Sequence, residues 1–150
     1  MAGVVLNVAN GELFTATLGT GARRNGQPIR VSQIAEPSRA LIGTGFPFKH
    51  REGIPPYMNV LPRLMEATAG LRRAGAAALD LCDVACGRFD AFWEYRLASW
   101  DMAAGTLMIR EAGGVVTDLE GKPARVADGA IVAGNARMHG WLLEQLQRRD

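Results

Sequence analysis

The chain has 150 residues, 48 % of them apolar and 21 % charged. That balance marks a globular chain and not a disordered one, and the length suits one domain with a real core. Seventeen basic and fifteen acidic residues leave a net charge of +2, too even to imply nucleic-acid binding by charge alone. No apolar run approaches the ~20 residues that cross a bilayer, so no membrane partner is expected.

In chain order, Gly3 to Val8 is apolar, Asn10-Gly11 is a turn and Glu12 to Thr17 partly alternates, which reads as a β-hairpin. Gly19 to Gly26 reads as a loop. Asn25-Gly26 marks a second turn before a strand at Ile29-Arg30-Val31. Ala40-Leu41-Ile42 is a short strand. Gly43 to Pro56 follows as a loop broken by Pro47, Pro55 and Pro56, and His50 within it reads as a solvated histidine. A helix is expected over 57–68, with Val60, Leu61, Leu64 and Met65 inward and Pro62 as a kink or first turn.

A short strand at Leu71-Arg72-Arg73 leads to Gly75 and a helix over 76–86. Leu79, Cys82, Val84 and Ala85 fit its buried side. Cys82 and Cys86 lie four apart on one face of that helix, where a disulfide would be strained. They read as reduced core thiols, in keeping with a cytoplasmic location. Phe89 to Trp93 suits a strand, and Glu94 ends it. Ser99 is a good N-cap, which puts Asp101 in the first turn of the next helix. Ala103, Ala104, Leu107, Met108 and Ala112 recur on one face of that helix, and Gly113-Gly114 stops it. Val115-Val116-Thr117 is a strand, 119–129 a loop and Ala130 to Val132 a strand. The last helix covers 137–149, with Trp141, Leu142 and Leu146 inward, Asn135 as cap, and Arg148-Arg149 at its negative end.

Taken singly, Glu94 and Asp101 have ordinary explanations: a strand-end acid facing water and a first-turn acid stabilising a helix. Their positions raise the functional reading, because α/β proteins build sites at strand carboxyl ends and helix amino ends.

Several ordered motifs carry a resemblance. Trp100-Asp101-Met102-Ala103-Ala104-Gly105 followed by Glu111-Ala112-Gly113-Gly114-Val115-Val116-Thr117-Asp118 resembles the C-terminal signature of the inositol monophosphatase family. Arg73 to Leu81 is similar to its R-x-G-S-A-A-L-D-L motif, and Gly87 to Glu94 to its G-R-x-D-G-F-x-E motif. Glu12 to Ala16, Asn25 to Ser32, Gly43 to Pro47 and Ile131 to Asn135 match in order as well. The family's first metal motif, D-P-x-D-G-T, is absent, so the chain reads as roughly the C-terminal half of a member.

The resemblance implies a fold and a chemistry. The fold is the C-terminal α/β domain of the family over 37–150, a mixed, mostly parallel sheet with helices on both faces. Before it, 1–36 is a β-hairpin remnant of the N-terminal domain's sheet, expected to be mobile, swapped or paired with another copy. The chemistry is Mg²⁺-dependent hydrolysis of a phosphorylated polyol. Asp101 matches a metal ligand, Glu94 the acid that accepts a substrate hydroxyl, and Gly75 and Ala77 the backbone beside the substrate ring. Ala76 replaces the usual serine or threonine, and 95–99 departs from the family pattern. With most metal ligands in the absent half, this chain alone is expected to be inactive.

Two other readings stay open. One is a phosphatase of another phosphosugar or a nucleotide phosphate. The other is an interaction module for the transcription machinery, as in a bacterial subgroup of the family, with Arg72 or Arg73 as the contact. Members are commonly homodimers.

Overall fold

The structure, a computed structural model, describes residues 1–48 and 51–148. The expectations for His50 and Arg149 lie outside the described residues.

The first four strands are β1 (Ala2–Asn7), β2 (Glu12–Thr17), β3 (Gly21–Arg24) and β4 (Gln27–Ile29), paired antiparallel in that order. The β1–β2 hairpin is as expected. Asn25 and Gly26, with φ of 49° and 79°, close the β3–β4 hairpin as a two-residue turn in which both residues are left-handed. The loop expected over 19–26 is corrected, because Gly21–Arg24 forms β3. Gly-Ala-Arg-Arg has little strand propensity, and pairing with β2 decides its conformation. Likewise β4 ends at Ile29 instead of running from Ile29 to Val31.

The remaining strands are β5 (Leu41–Thr44), β6 (Gly70–Arg72), β7 (Ala91–Glu94), β8 (Val115–Thr117) and β9 (Ile131–Gly134). They form a second sheet in the order β6-β5-β7-β9-β8. It is mixed: β5 is parallel to β6 and β7, and β9 is antiparallel to β7 and β8. The helices are α1 (Ile54–Ala67), α2 (Ala77–Ala85), α3 (Ser99–Glu111) and α4 (Ala136–Gln147).

Strand alternation sorts the core into two layers. Phe92, Ile131 and Ala133 point to one face of the second sheet and pack with Leu81, Met108 and Ile109. Phe14, Ala16 and Ala22 of the first sheet join the same cluster from the opposite side. Ile42, Trp93 and Val132 point to the other face and meet Tyr57, Leu64, Met138 and Leu142 of α1 and α4. The α2–α3 pair therefore lies between the two sheets, and α1 and α4 cover the far face.

Several local expectations change. Pro55 and Pro56 begin α1 instead of breaking the chain before it, since proline suits a first helical turn. Pro62 lies inside α1. Met65 is 65 % exposed, while Tyr57, Val60 and Leu64 face the core. Along α3, Ala103 is exposed and Met102, Gly105, Thr106 and Ile109 are buried, because the helix is covered on more than one side. Ser99 is the first helical residue, and Ala98 is the N-cap. In α2, Leu81 is fully buried and Leu79 only partly.

Candidate functional site

The carboxyl ends of two neighbouring parallel strands meet the amino ends of two helices at one cavity of about 280 Å³. Its lining includes Gly45 just past β5, Gly75, Ala76 and Ala77 at the start of α2, Glu94 at the end of β7 and Asp101 in α3. The four residues singled out in the sequence, Glu94, Gly75, Ala77 and Asp101, are thus brought together.

Each has a local cause. Gly75 has φ of +101°, a conformation that disfavours a side chain, and it turns the chain from β6 into α2. Ala76 caps α2 without a side-chain hydrogen bond, and its carbonyl accepts from the N–H groups of Leu79 and Asp80, each at 2.9 Å. The first amides of α2 have no partner within the helix, so they can donate to a ligand oxygen. Asp101 sits at the third position of α3, and its Oδ2 accepts from the Ala98 N–H at 3.0 Å. It therefore caps the helix as well as facing the cavity.

Glu94 is half-buried, and among the described residues no donor hydrogen-bonds to its carboxylate. Burial, reinforced by Asp80 and Asp101, pushes its carboxyl up to about 7, and Arg73 acts against the shift. Arg73 rims the cavity, with its guanidinium 5.6 Å and 5.1 Å from the ring centroids of Phe46 and Phe48. Arg96 adopts φ of 61° and forms an ion pair with Glu52, tying the loop after β7 to the turn before α1.

Sequence reasoning missed Asp80. It is 2 % exposed, and its Oδ1 has no hydrogen-bond partner. Burial first and Asp83 second raise it to about 7, with Arg73 opposing. Helical spacing held the signal: Asp80 lies three residues after Ala77 and four before Val84, on the buried face of α2.

A hard divalent ion such as Mg²⁺ takes about six oxygen ligands. Among the described residues no group of three or more acids, histidines or cysteines converges on one point. Glu94 and Asp101 are the carboxylates lining the cavity, and Asp101 has one oxygen committed to Ala98. The described residues do not by themselves fit a magnesium site.

Other features are structural. Cys82 is buried and free, and burial pushes its thiol up to about 12, which makes it inert. Cys86 is free and half-buried. No helix among the described residues is long and apolar enough to cross a membrane.

Known proteins are similar to this chain in sequence and fold. The model of the inositol monophosphatase family matches residues 1–150. The chain is 49 % identical over 146 residues to the Nus factor SuhB of Pseudomonas aeruginosa, covering 96 % of this chain and 54 % of that protein. It is 49 % identical over 145 residues to the inositol-1-monophosphatase of Rhizobium meliloti, covering 97 % and 54 %. The crystal structure of the extragenic suppressor protein SuhB from Bartonella henselae superimposes with a TM-score of 0.95 at 45 % identity, covering 100 % of this chain and 57 % of that one. The chain spans about half the length of these relatives. With residues 1–150 all matched by the family model and the backbone of about half of a SuhB protein reproduced, the cavity between the α2 and α3 amino ends sits in a chain that belongs to the inositol monophosphatase family.

Proposed function

We propose that this chain is the C-terminal part of a Mg²⁺-dependent phosphomonoesterase acting on a phosphorylated polyol of the inositol 1-phosphate class. One observation carries the reading: Glu94, Gly75, Ala77 and Asp101, from separate elements, line a single cavity. In this reading the Glu94 carboxylate accepts a hydrogen bond from a substrate hydroxyl. The α2 amino end donates amide N–H groups to substrate oxygens. Asp101 contributes its remaining oxygen to the ion, whose other ligands come from a part of the protein outside this chain. The bound ion would polarise the phosphate ester and activate water. The full protein is then a cytoplasmic homodimer, and the isolated chain does not turn over.

Phosphate release from inositol 1-phosphate by the purified chain with millimolar Mg²⁺, beside an Asp101→Asn control, tests this. Release no greater than the control is expected. Release that depends on Asp101 would mean that this chain carries a complete metal site, and the half-site reading would fall.

A second reading draws on the name Nus factor borne by the Pseudomonas relative and on the exposure of Arg72. A transcription-machinery contact there predicts that Arg72→Ala abolishes binding to RNA polymerase and leaves phosphatase activity of the full-length protein intact. Equal binding by the variant would remove it.

A further inference from the structure

The closest approach around the cavity involves a residue that the reading above leaves unused. Gly45 follows β5 directly. Thr44 is paired with Trp93 in the parallel β5–β7 ladder, so Gly45 stands beside Glu94. A Cβ built on Gly45 would lie 2.0 Å from the Glu94 carboxyl carbon, 2.0 Å from Oε1 and 2.3 Å from Oε2. The carboxylate thus occupies the volume that any side chain at 45 would take. Backbone conformation does not explain the glycine, because Gly45 is not among the left-handed positions of the chain. Nor does a hydrogen bond hold the carboxylate, since no described donor reaches it. What remains is shape: Glu94 lies across the bare Cα of Gly45, with Trp93 and Phe92 locking the strand behind it, both fully buried.

We propose that Gly45 is a positioning and specificity-determining residue for the cavity, one that aims the Glu94 carboxylate by leaving it the space of a missing side chain. The inference rests on the reading of Glu94 as the acceptor of a substrate hydroxyl. Any side chain at 45 drives the carboxylate out of its bed, toward the cavity mouth and water. A hydroxyl donor set to meet Glu94 then loses its partner, and substrates differing in that hydroxyl are no longer told apart. The charged groups acting on Glu94 are Asp80 from α2, Asp101 from α3 and Arg73 after β6. The three atoms nearest to a Cβ at position 45 all belong to Glu94, so Glu94 is the group expected to move first.

The experiment follows the ¹³C shift of the Glu94 carboxyl against pH in the 150-residue chain and in Gly45→Ala. The midpoint should fall from about 7 toward the ordinary carboxylate range as the group gains water. An unmoved midpoint in a folded Gly45→Ala protein overturns the proposal. Should Gly45→Ala unfold, the Gly45→Ala/Glu94→Ala double variant decides. Recovery of folding by removal of the Glu94 side chain supports the contact, and an equal loss in both backgrounds overturns it. A third arm separates the two layers of inference, using chemical-shift titration with inositol 1-phosphate and Mg²⁺. If Glu94→Gln leaves that binding unchanged, the hydroxyl-acceptor reading fails. If Glu94→Gln weakens binding and Gly45→Ala does not, the positioning role of Gly45 fails alone.

Discussion

Gly105→Ala tests how α2 and α3 are held together. In an isolated helix, replacing glycine with alanine gains about 1 kcal/mol of propensity. Here the added Cβ would sit 2.5 Å from Leu81 Cβ and 2.6 Å from Leu81 Cδ1. The first contact is with an atom fixed to the α2 backbone, so a rotamer change cannot relieve it. Leu81 is also fully buried and has no space to retreat into. The helices must separate inside a layer closed on both sides by sheets, and overpacking of this kind costs about 1–3 kcal/mol. The net expectation is a loss of up to about 2 kcal/mol, because the clash outweighs the propensity gain. With a urea m-value of about 2 kcal/mol/M for a chain of this size, the midpoint falls by up to about 1 M. Urea unfolding followed by tryptophan fluorescence measures it. Gly3→Ala is the control, since its Cβ would approach Ala104 at 3.3 Å, a contact that small adjustments absorb. The close-packing argument fails if Gly105→Ala has a midpoint equal to or above that of the parent chain.

Three further expectations concern charge and capping. Glu12 is held down to about 2, chiefly by its hydrogen bond from Arg88 at 2.5 Å, with Asn10 and Arg24 assisting and burial opposing. A depressed carboxyl contributes stability that is present above its unfolded value near 4.5 and lost as pH falls toward 2. Arg88→Ala should therefore flatten the acid limb of the thermal midpoint between pH 4.5 and 2, and an unchanged limb would discount the ion pair. Asp80 behaves oppositely: its raised carboxyl leaves stability intact below pH 3.8 and erodes it as pH rises to about 7. Asp80→Asn should raise the thermal midpoint at pH 8 and leave it unmoved near pH 3.5; the same gain at both would mean that charge is not the cause. Asn135 caps α4 by accepting from the Met138 N–H at 3.0 Å, and it donates to Ser32 Oγ and the Ile34 carbonyl at 3.0 and 2.9 Å. Asn135→Ala should cost about 1 kcal/mol for the cap and more for the tether. Calorimetry checks it against Asn135→Asp, which keeps the cap and loses the donor.

Local chemistry made much of the fold legible in the sequence. Asn10-Gly11 flanked by apolar runs announced the first hairpin, Asn25-Gly26 announced a turn, and Asn135 announced the start of α4. What escaped depended on partners distant in the chain. Gly21–Arg24 is a strand because β2 offers it a ladder. Ala103 looked inward and Met102 was left off the apolar face of α3 because a periodicity argument assumes one wet face, and this helix has little of one. Ser99 looked like the cap because its hydroxyl is suited to the task, yet Asp101 already serves Ala98 from inside the helix. At the site, the motifs pointed to Glu94, Asp101, Gly75 and Ala77. Gly45 stayed hidden, because a bare Cα beneath a carboxylate is a fact of juxtaposition, whereas helical spacing put Asp80 on the buried face of α2 and the acid was passed over.

The position of α3 has a consequence for how the molecule breathes. Its buried stretch from Gly105 to Ile109 has one sheet on either side. At its far end Glu111 accepts from the Gly19 and Gly21 N–H groups at 2.9 and 2.8 Å, pinning the β2–β3 turn to the helix. Fraying of an end or detachment of a loop leaves the amides of that stretch shielded from solvent. Their hydrogen exchange must wait for the whole chain to open, so the slowest α3 amide reports the free energy of global unfolding without any denaturant.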